Sequence, residues 1–166
     1  SRPGLPGARH DDRPCDLRGV VAAVEELARA HPRCRHVALI CQVPGQPVVV
    51  DASASHLEQV LLNLILNASD ALQGEGQVRV SIDGGTGGPV LVVDDNGPGV
   101  APADRDRIFE PFYTGKPGSG WGLGLAVSRR MVAQYGGTLR VGDAPGGGAR
   151  FEVALPMLQA SPATAG

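Results

Sequence analysis

The sequence predicts an α+β fold, a two-layer α/β sandwich in which one sheet of about five strands carries three helices on one face. Two observations predict it. Apolar spacing gives the order helix, two strands, helix, two strands, long loop, helix, two strands, without the β-α-β alternation of a doubly wound sheet. Seventeen of the 24 glycines lie between Gly84 and Gly148, and apolar segments interrupt them at regular intervals. They therefore read as loops within a fold and not as a low-complexity linker.

The elements follow in order. In Asp16 to Ala30, Leu17, Val20, Val21, Val24 and Leu27 share one helical face, and Pro32 stops the helix. Val37 to Val43 and Pro47 to Asp51 are short strands around a turn at Pro44-Gly45. Ser53 to Leu72 is the strongest helix, with Ser55 and Glu58 at capping-box spacing. Gln77 to Asp83 and Val90 to Asp94 read as strands, and Asn96 to Trp121 as a loop rich in Gly and Pro. Leu123 to Tyr135 is a helix ended by Gly136-Gly137, and Thr138 to Gly142 with Ala149 to Leu155 form a closing hairpin. We expect residues 1–14 to be a linker, 15–157 the folded domain, and 158–166 a disordered tail.

Bulk properties exclude several classes. With 166 residues the chain can bury one real core. A net charge of −2 carries no basic excess for nucleic acid. No apolar run reaches the ~18 residues of a membrane span, and no signal-peptide core is present. Cys15, Cys34 and Cys41 lack C-x-x-C spacing and read as free thiols of a reducing compartment. Nothing beside them resembles a thiol-activating base.

The central helix carries a polar stripe. Between Val60 and Ala68 only Asn63 and Asn67 are polar, and Gln59, Asn63, Asn67 and Asp70 fall within a sector of about 80°. A single buried Asn is satisfied by nearby backbone. A stripe of four points instead to a ligand or metal on that face, since an amide oxygen is a hard neutral ligand suited to Mg²⁺ beside phosphates.

The loops that follow complete the pattern. Asp95 ends a strand beside Gly97 and Gly99, where it could accept from a ligand amine; the same residues also suit a plain turn. Gly118 to Leu125 places glycines at alternate positions ahead of a helix, which leaves N–H groups free for phosphate. It is neither a Walker A loop nor G-x-G-x-x-G. Phe109 and Phe112 read as an aromatic plug anchoring the intervening loop. Lys116, at a glycine-flanked tip, is either a cation for a γ-phosphate or a solvated surface lysine.

On these residues the chain resembles the catalytic, ATP-binding domain of bacterial sensor histidine kinases, within the wider group that includes gyrase, MutL and heat-shock chaperone ATPases. Gln59 to Ala71 resembles the N box, Asp95 to Gly99 the first glycine box, and Ile108 to Lys116 the F box. Gly118 to Leu125 resembles the second glycine box, and Gly136 to Gly148 with Phe151 to Pro156 the closing hairpin. The resemblance implies a mixed sheet under three helices, with Pro98 to Gly120 as a mobile ATP lid. It implies ATP and Mg²⁺ as ligands. Asn67 would hold the metal, with Asn63 near the phosphates. Asp95 would read the adenine amine, with Gly97 and Gly99 shaping that wall. Gly120, Gly122 and Gly124 would give backbone to the phosphates, Leu123 would border the nucleotide, and Lys116 would supply the cation. Asn63, Asn67 and Lys116 would form the catalytic set.

Three positions depart from the family pattern. Trp121 stands where a small residue is usual. Thr114-Gly115-Lys116 replaces Thr-Thr-Lys. Asp70-Ala71 stands where many relatives carry a basic residue and an aromatic. Related hydrolases carry a glutamate one turn before the metal asparagine. Asn63 stands there and cannot serve as a base, so transfer is expected over hydrolysis. The alternatives within the fold are a protein-serine kinase of the anti-sigma type and a nucleotide sensor without turnover. No histidine here sits in an acceptor-helix pattern; His10-Asp11 has Pro14 one residue early. We therefore expect the acceptor on the dimerisation/phosphoacceptor helices of a longer protein, with a response regulator as indirect partner. A monomeric isolated domain, no nucleic-acid partner, and a cytoplasmic location with membrane anchoring of the full-length protein left open complete the expectation.

Overall fold

The computed structural model describes residues 13–73, 75–113 and 121–158. It holds β1 (Cys15–Asp16), α1 (Leu17–Ala30), β2 (His36–Gln42), β3 (Val49–Val50) and α2 (Ala54–Ala71). β4 (Glu75–Asp83), β5 (Val90–Asp95), α3 (Trp121–Ala133), β6 (Thr138–Asp143) and β7 (Ala149–Ala154) follow. Five strands form the main sheet in the order β2-β4-β5-β7-β6. β2 runs parallel to β4, which α2 makes possible as the crossover, and the other pairs are antiparallel. The sheet is therefore mixed, as expected, and the three α-helices cover one face. No helix among the described residues is long and apolar enough to cross a membrane.

The core lies between the layers. Leu57, Val60, Leu61, Leu64 and Ile65 of α2 are essentially inaccessible, and they meet Val78, Val80, Leu91, Val93 and Val153 of the sheet. Each such side chain contributes about 1.5–3 kcal/mol by leaving water. Leu125, Val132 and Leu139 extend the core beneath α3.

Several boundaries moved. The strands on either side of Pro44-Gly45 do not pair with each other. β3 pairs with β1, a strand the sequence did not signal, in a separate two-stranded sheet. A two-residue strand is too short to show alternation. α2 is capped by Ser53, whose hydroxyl accepts from His56 N at 3.4 Å, so Ser55 and Glu58 lie inside the helix. On α1 Leu27 is 54% exposed and Ala28 takes its place in the core. Leu27 sits about 90° from the centre of the Leu17-Val21-Val24-Ala28 stripe, just beyond Val20, the last buried side chain on that edge.

Candidate functional site

α2 and α3 run antiparallel. His56 Nδ1 lies 2.5 Å from the Tyr135 hydroxyl at one end, and Asn63 meets Ser128 and Gly124 nearer the other. The same register carries Asn67, one turn beyond Asn63, to the level of the first turn of α3. Asn67 is 3% exposed, and its Nδ2 is the buried side-chain polar atom among the described residues that lacks a hydrogen-bond partner. An unmet buried donor costs about 1–3 kcal/mol, so a folded chain that keeps one is set up for a ligand.

Asn63 is differently placed. Its Nδ2 donates to Ser128 Oγ at 3.0 Å, and Ser128 is 3% exposed. The amide also rests on Gly124, where a Cβ would stand 2.5 Å from Asn63 Oδ1. The rest of the polar stripe is not part of this cluster. Gln59 is exposed. Asp70 is bound by the Arg33 guanidinium, with Nε donating to Oδ1 at 3.0 Å and Nη2 to Oδ2. A long guanidinium reaching across from the turn after α1 removes that carboxylate from the face, which periodicity cannot register. Asp70 in place of a basic residue is thus part of an ion pair between elements.

At the end of β5, Asp95 is 5% exposed, and its Oδ1 accepts from Gly97 N at 2.9 Å and from Ala149 N at 3.2 Å. Burial pushes its carboxyl above the usual range, and those two donors pull the other way. Both bonds from described residues fall on one oxygen, which leaves Oδ2 as the free acceptor. Asn96 locks the turn by accepting from Gln77 N at 2.8 Å. Gly97 lies against Leu72, which caps α2, and Gly99, at φ +78°, against Gly148. On the outer face of the sheet, Arg150 grips Asp94 with two bonds, Nε to Oδ1 at 2.7 Å and Nη2 to Oδ2 at 2.9 Å. That clamp ties β7 to β5 one residue before Asp95.

The segment after Gly99 is anchored at its root. Arg105 Nη2 donates to Asp143 Oδ1 at 2.9 Å, at the end of β6. Phe109 is buried edge-on against Phe151, and the Arg129 guanidinium lies 4.5 Å above its ring. Phe112 does not join this plug. It is 75% exposed, because its backbone adopts φ 65° and turns the side chain outward. Lys116 and Gly120 lie outside the described residues. Gly122 and Leu123 fall in the first turn of α3, and their side-chain surroundings also lie outside them.

The structure thus gathers Asn67, Asn63 and Gly124 at the α2–α3 seam, and Asp95, Gly97 and Gly99 at the end of β5. Ser128, Gly148 and Arg150 were missed. A serine inside a helix, a glycine in a run of three, and one of three arginines on the strands carry no distinguishing sequence signal. Burial pushes the Cys41 thiol up to about 11, aided by Glu25, and raises Cys34 as well, which disfavours the thiolate at both.

Residues 52–159 match the family described as histidine kinase-, DNA gyrase B-, and HSP90-like ATPase. The C4-dicarboxylate transport sensor protein DctB of Rhizobium meliloti (strain 1021) is 38% identical over 136 residues, 81% of this chain and 22% of that protein. The sensor histidine kinase ZraS of Escherichia coli O157:H7 is 36% identical over 142 residues, 86% of this chain and 31% of that protein. The chain therefore spans less than a third of the length of either relative. A structure of the mycobacterial sensor histidine kinase MprB superposes with a TM-score of 0.75 at 32% identity, covering 89% of this chain and 99% of that one.

Proposed function

This chain belongs to the family of histidine kinase-, DNA gyrase B-, and HSP90-like ATPases, an ATP-binding family, and from that premise we propose that it is the catalytic domain of a two-component sensor histidine kinase. It takes ATP and passes the γ-phosphate to a histidine on a separate dimerisation/phosphoacceptor domain of a longer protein, which then serves a response regulator. The folded unit is 15–157, monomeric when isolated.

The observation that carries this reading is the state of the two asparagines. Asn63 presents an amide already engaged with Ser128, and an amide cannot take a proton from water at neutral pH. Asn67, one turn on, presents a buried amide with its donor unmet. Its donor set fits Mg²⁺ with phosphate: the oxygen is a hard neutral ligand, and the N–H suits an anion. Among the described residues no group of three or more His, Cys, Asp or Glu could cage a cation, so phosphates and water would complete its shell. Bound there, Mg²⁺ supplies neutralisation of charge on the phosphates.

The remaining roles fall to the chain itself. Asp95 Oδ2 accepts from the adenine amine, while Oδ1 stays committed to Gly97 and Ala149. Gly97 and Gly99 admit the base, and Leu123 borders it. Gly120, Gly122 and Gly124 offer backbone N–H groups to phosphate at the start of α3. Lys116 supplies a cation for the γ-phosphate.

Incubation with γ-labelled ATP and a dimerisation/phosphoacceptor fragment tests the reading. Acid-labile, base-stable label on the fragment is expected. Acid-stable label identifies a serine kinase, and binding without transfer identifies a sensor. ATP hydrolysis without acceptor should stay slow in both wild type and Asn63→Ala.

A further inference from the structure

We propose that Ser128 is a positioning residue for the nucleotide site: it holds the Asn63 amide against α3 and so keeps the Asn67 amide open for the phosphates. The inference rests on the reading of Asn67 above.

Asn63 and Asn67 stand four residues apart on α2, where side-chain amides are close enough to bond each other. Left alone, Asn63 Oδ1 is a ready acceptor for Asn67 Nδ2, and that bond would close the donor a nucleotide needs. The structure shows the opposite arrangement. Asn63 is turned across the seam and donates to Ser128 Oγ at 3.0 Å, while Asn67 Nδ2 has no partner among the described residues. Gly124, one turn before Ser128 on the same face of α3, is the other half of the device. Without a Cβ it lets Asn63 Oδ1 settle against α3, at a place where a methyl would be 2.5 Å away. An Asn side chain has three staggered χ1 wells, and the Ser128 bond with the space at Gly124 selects one of them.

Stability alone does not call for this pair. Apart from the His56–Tyr135 contact at its other end, the seam lies beside an apolar core that includes Val60, Leu64, Leu125 and Val132. Replacing both partners of a buried hydrogen bond by apolar groups of the same shape is often near neutral. A polar pair at this place contributes orientation.

The test is calorimetric binding of ATP with Mg²⁺ to wild type, Ser128→Ala, Ser128→Thr, Asn63→Ala and the double variant Asn63→Ala/Ser128→Ala, with a thermal unfolding midpoint for each. Ser128→Ala should weaken binding about tenfold. Ser128→Thr, which keeps the hydroxyl, should recover most of that loss. In the Asn63→Ala background, Ser128→Ala should cost nothing further, because the residue it holds is gone. Unchanged binding in Ser128→Ala overturns the inference. So do a Thr variant no better than Ala, or losses that add in the double variant; each of these marks Ser128 as packing only. If wild type itself binds no ATP, the functional reading fails and takes the inference with it.

Discussion

Gly148 lies so close to Asp95 that a Cβ on it would stand 1.9 Å from the Asp95 carbonyl oxygen and 3.0 Å from Oδ1. Its backbone sits at φ +101°, a region that favours glycine. The clash is with backbone that is paired into the sheet, so it cannot be relieved by a side-chain rotation. Gly148→Ala should destabilise the domain by about 2–4 kcal/mol, combining backbone strain with overpacking. Chemical denaturation would measure that, and ATP affinity should fall with it because Asp95 Oδ1 must move.

Asp95→Asn separates stability from recognition. The folded state buries a carboxylate whose ionisation burial already disfavours. A neutral side chain of the same shape should leave the unfolding midpoint unchanged or slightly raised. It presents an amide where an acceptor for the adenine amine is needed, so ATP affinity should drop about 100-fold, or about 2.7 kcal/mol. Titration of both proteins with ATP gives the comparison.

Gly124→Ala makes an opposite pairing of effects. Alanine favours a helix interior over glycine by about 1 kcal/mol. Its methyl would meet the Asn63 amide, at 2.5 Å from Oδ1 and 2.8 Å from Nδ2, and push it off Ser128. The unfolding midpoint should hold or rise while ATP binding weakens several-fold, read by melting and titration on the same sample.

Asp16 supplies a pH dependence remote from the site. It caps α1, accepting from Arg18 N at 3.0 Å, from the Arg18 guanidinium at 2.8 Å, and from Val48 N at 3.1 Å. These bonds, the Arg18 side chain foremost, hold its carboxyl down to about 2 from the ordinary 3.8. A depressed folded value means stability present above pH 3.8 that is lost as pH falls towards 2. Asp16→Ala should cost about 1 kcal/mol at neutral pH. The gap from wild type should shrink through that window, as denaturation at pH 7, 4 and 2.5 would show.

Much of the fold was legible because its signals are local. The α2 run from Leu57 to Ile65 and the alternation in β4 and β7 are fixed by burial against one partner layer. What was illegible depended on partners far along the chain. Asp70 looked like part of a ligand face until Arg33, thirty-seven residues earlier, was seen to hold it. Phe112 looked like a core anchor, but a left-handed backbone, which no composition reveals, turns it to solvent. The two-residue pairing of Cys15–Asp16 with Val49–Val50 is too short for any period. Within the site, Asn67 and Asp95 stood out as polar residues on apolar elements. Ser128 and Gly148 act through a neighbour, and nothing in their own sequence context distinguishes them.

Calorimetric titration of ATP into wild type and Asn67→Ala, each with Mg²⁺ and with a chelator, tests the central claim most directly. The account predicts tight, Mg²⁺-dependent binding by wild type. It predicts loss of the Mg²⁺ dependence and at least tenfold weaker binding in Asn67→Ala, with the ligand-free melting midpoint held or raised because a buried unmet donor is gone. Equal, equally Mg²⁺-dependent binding by both proteins would contradict it.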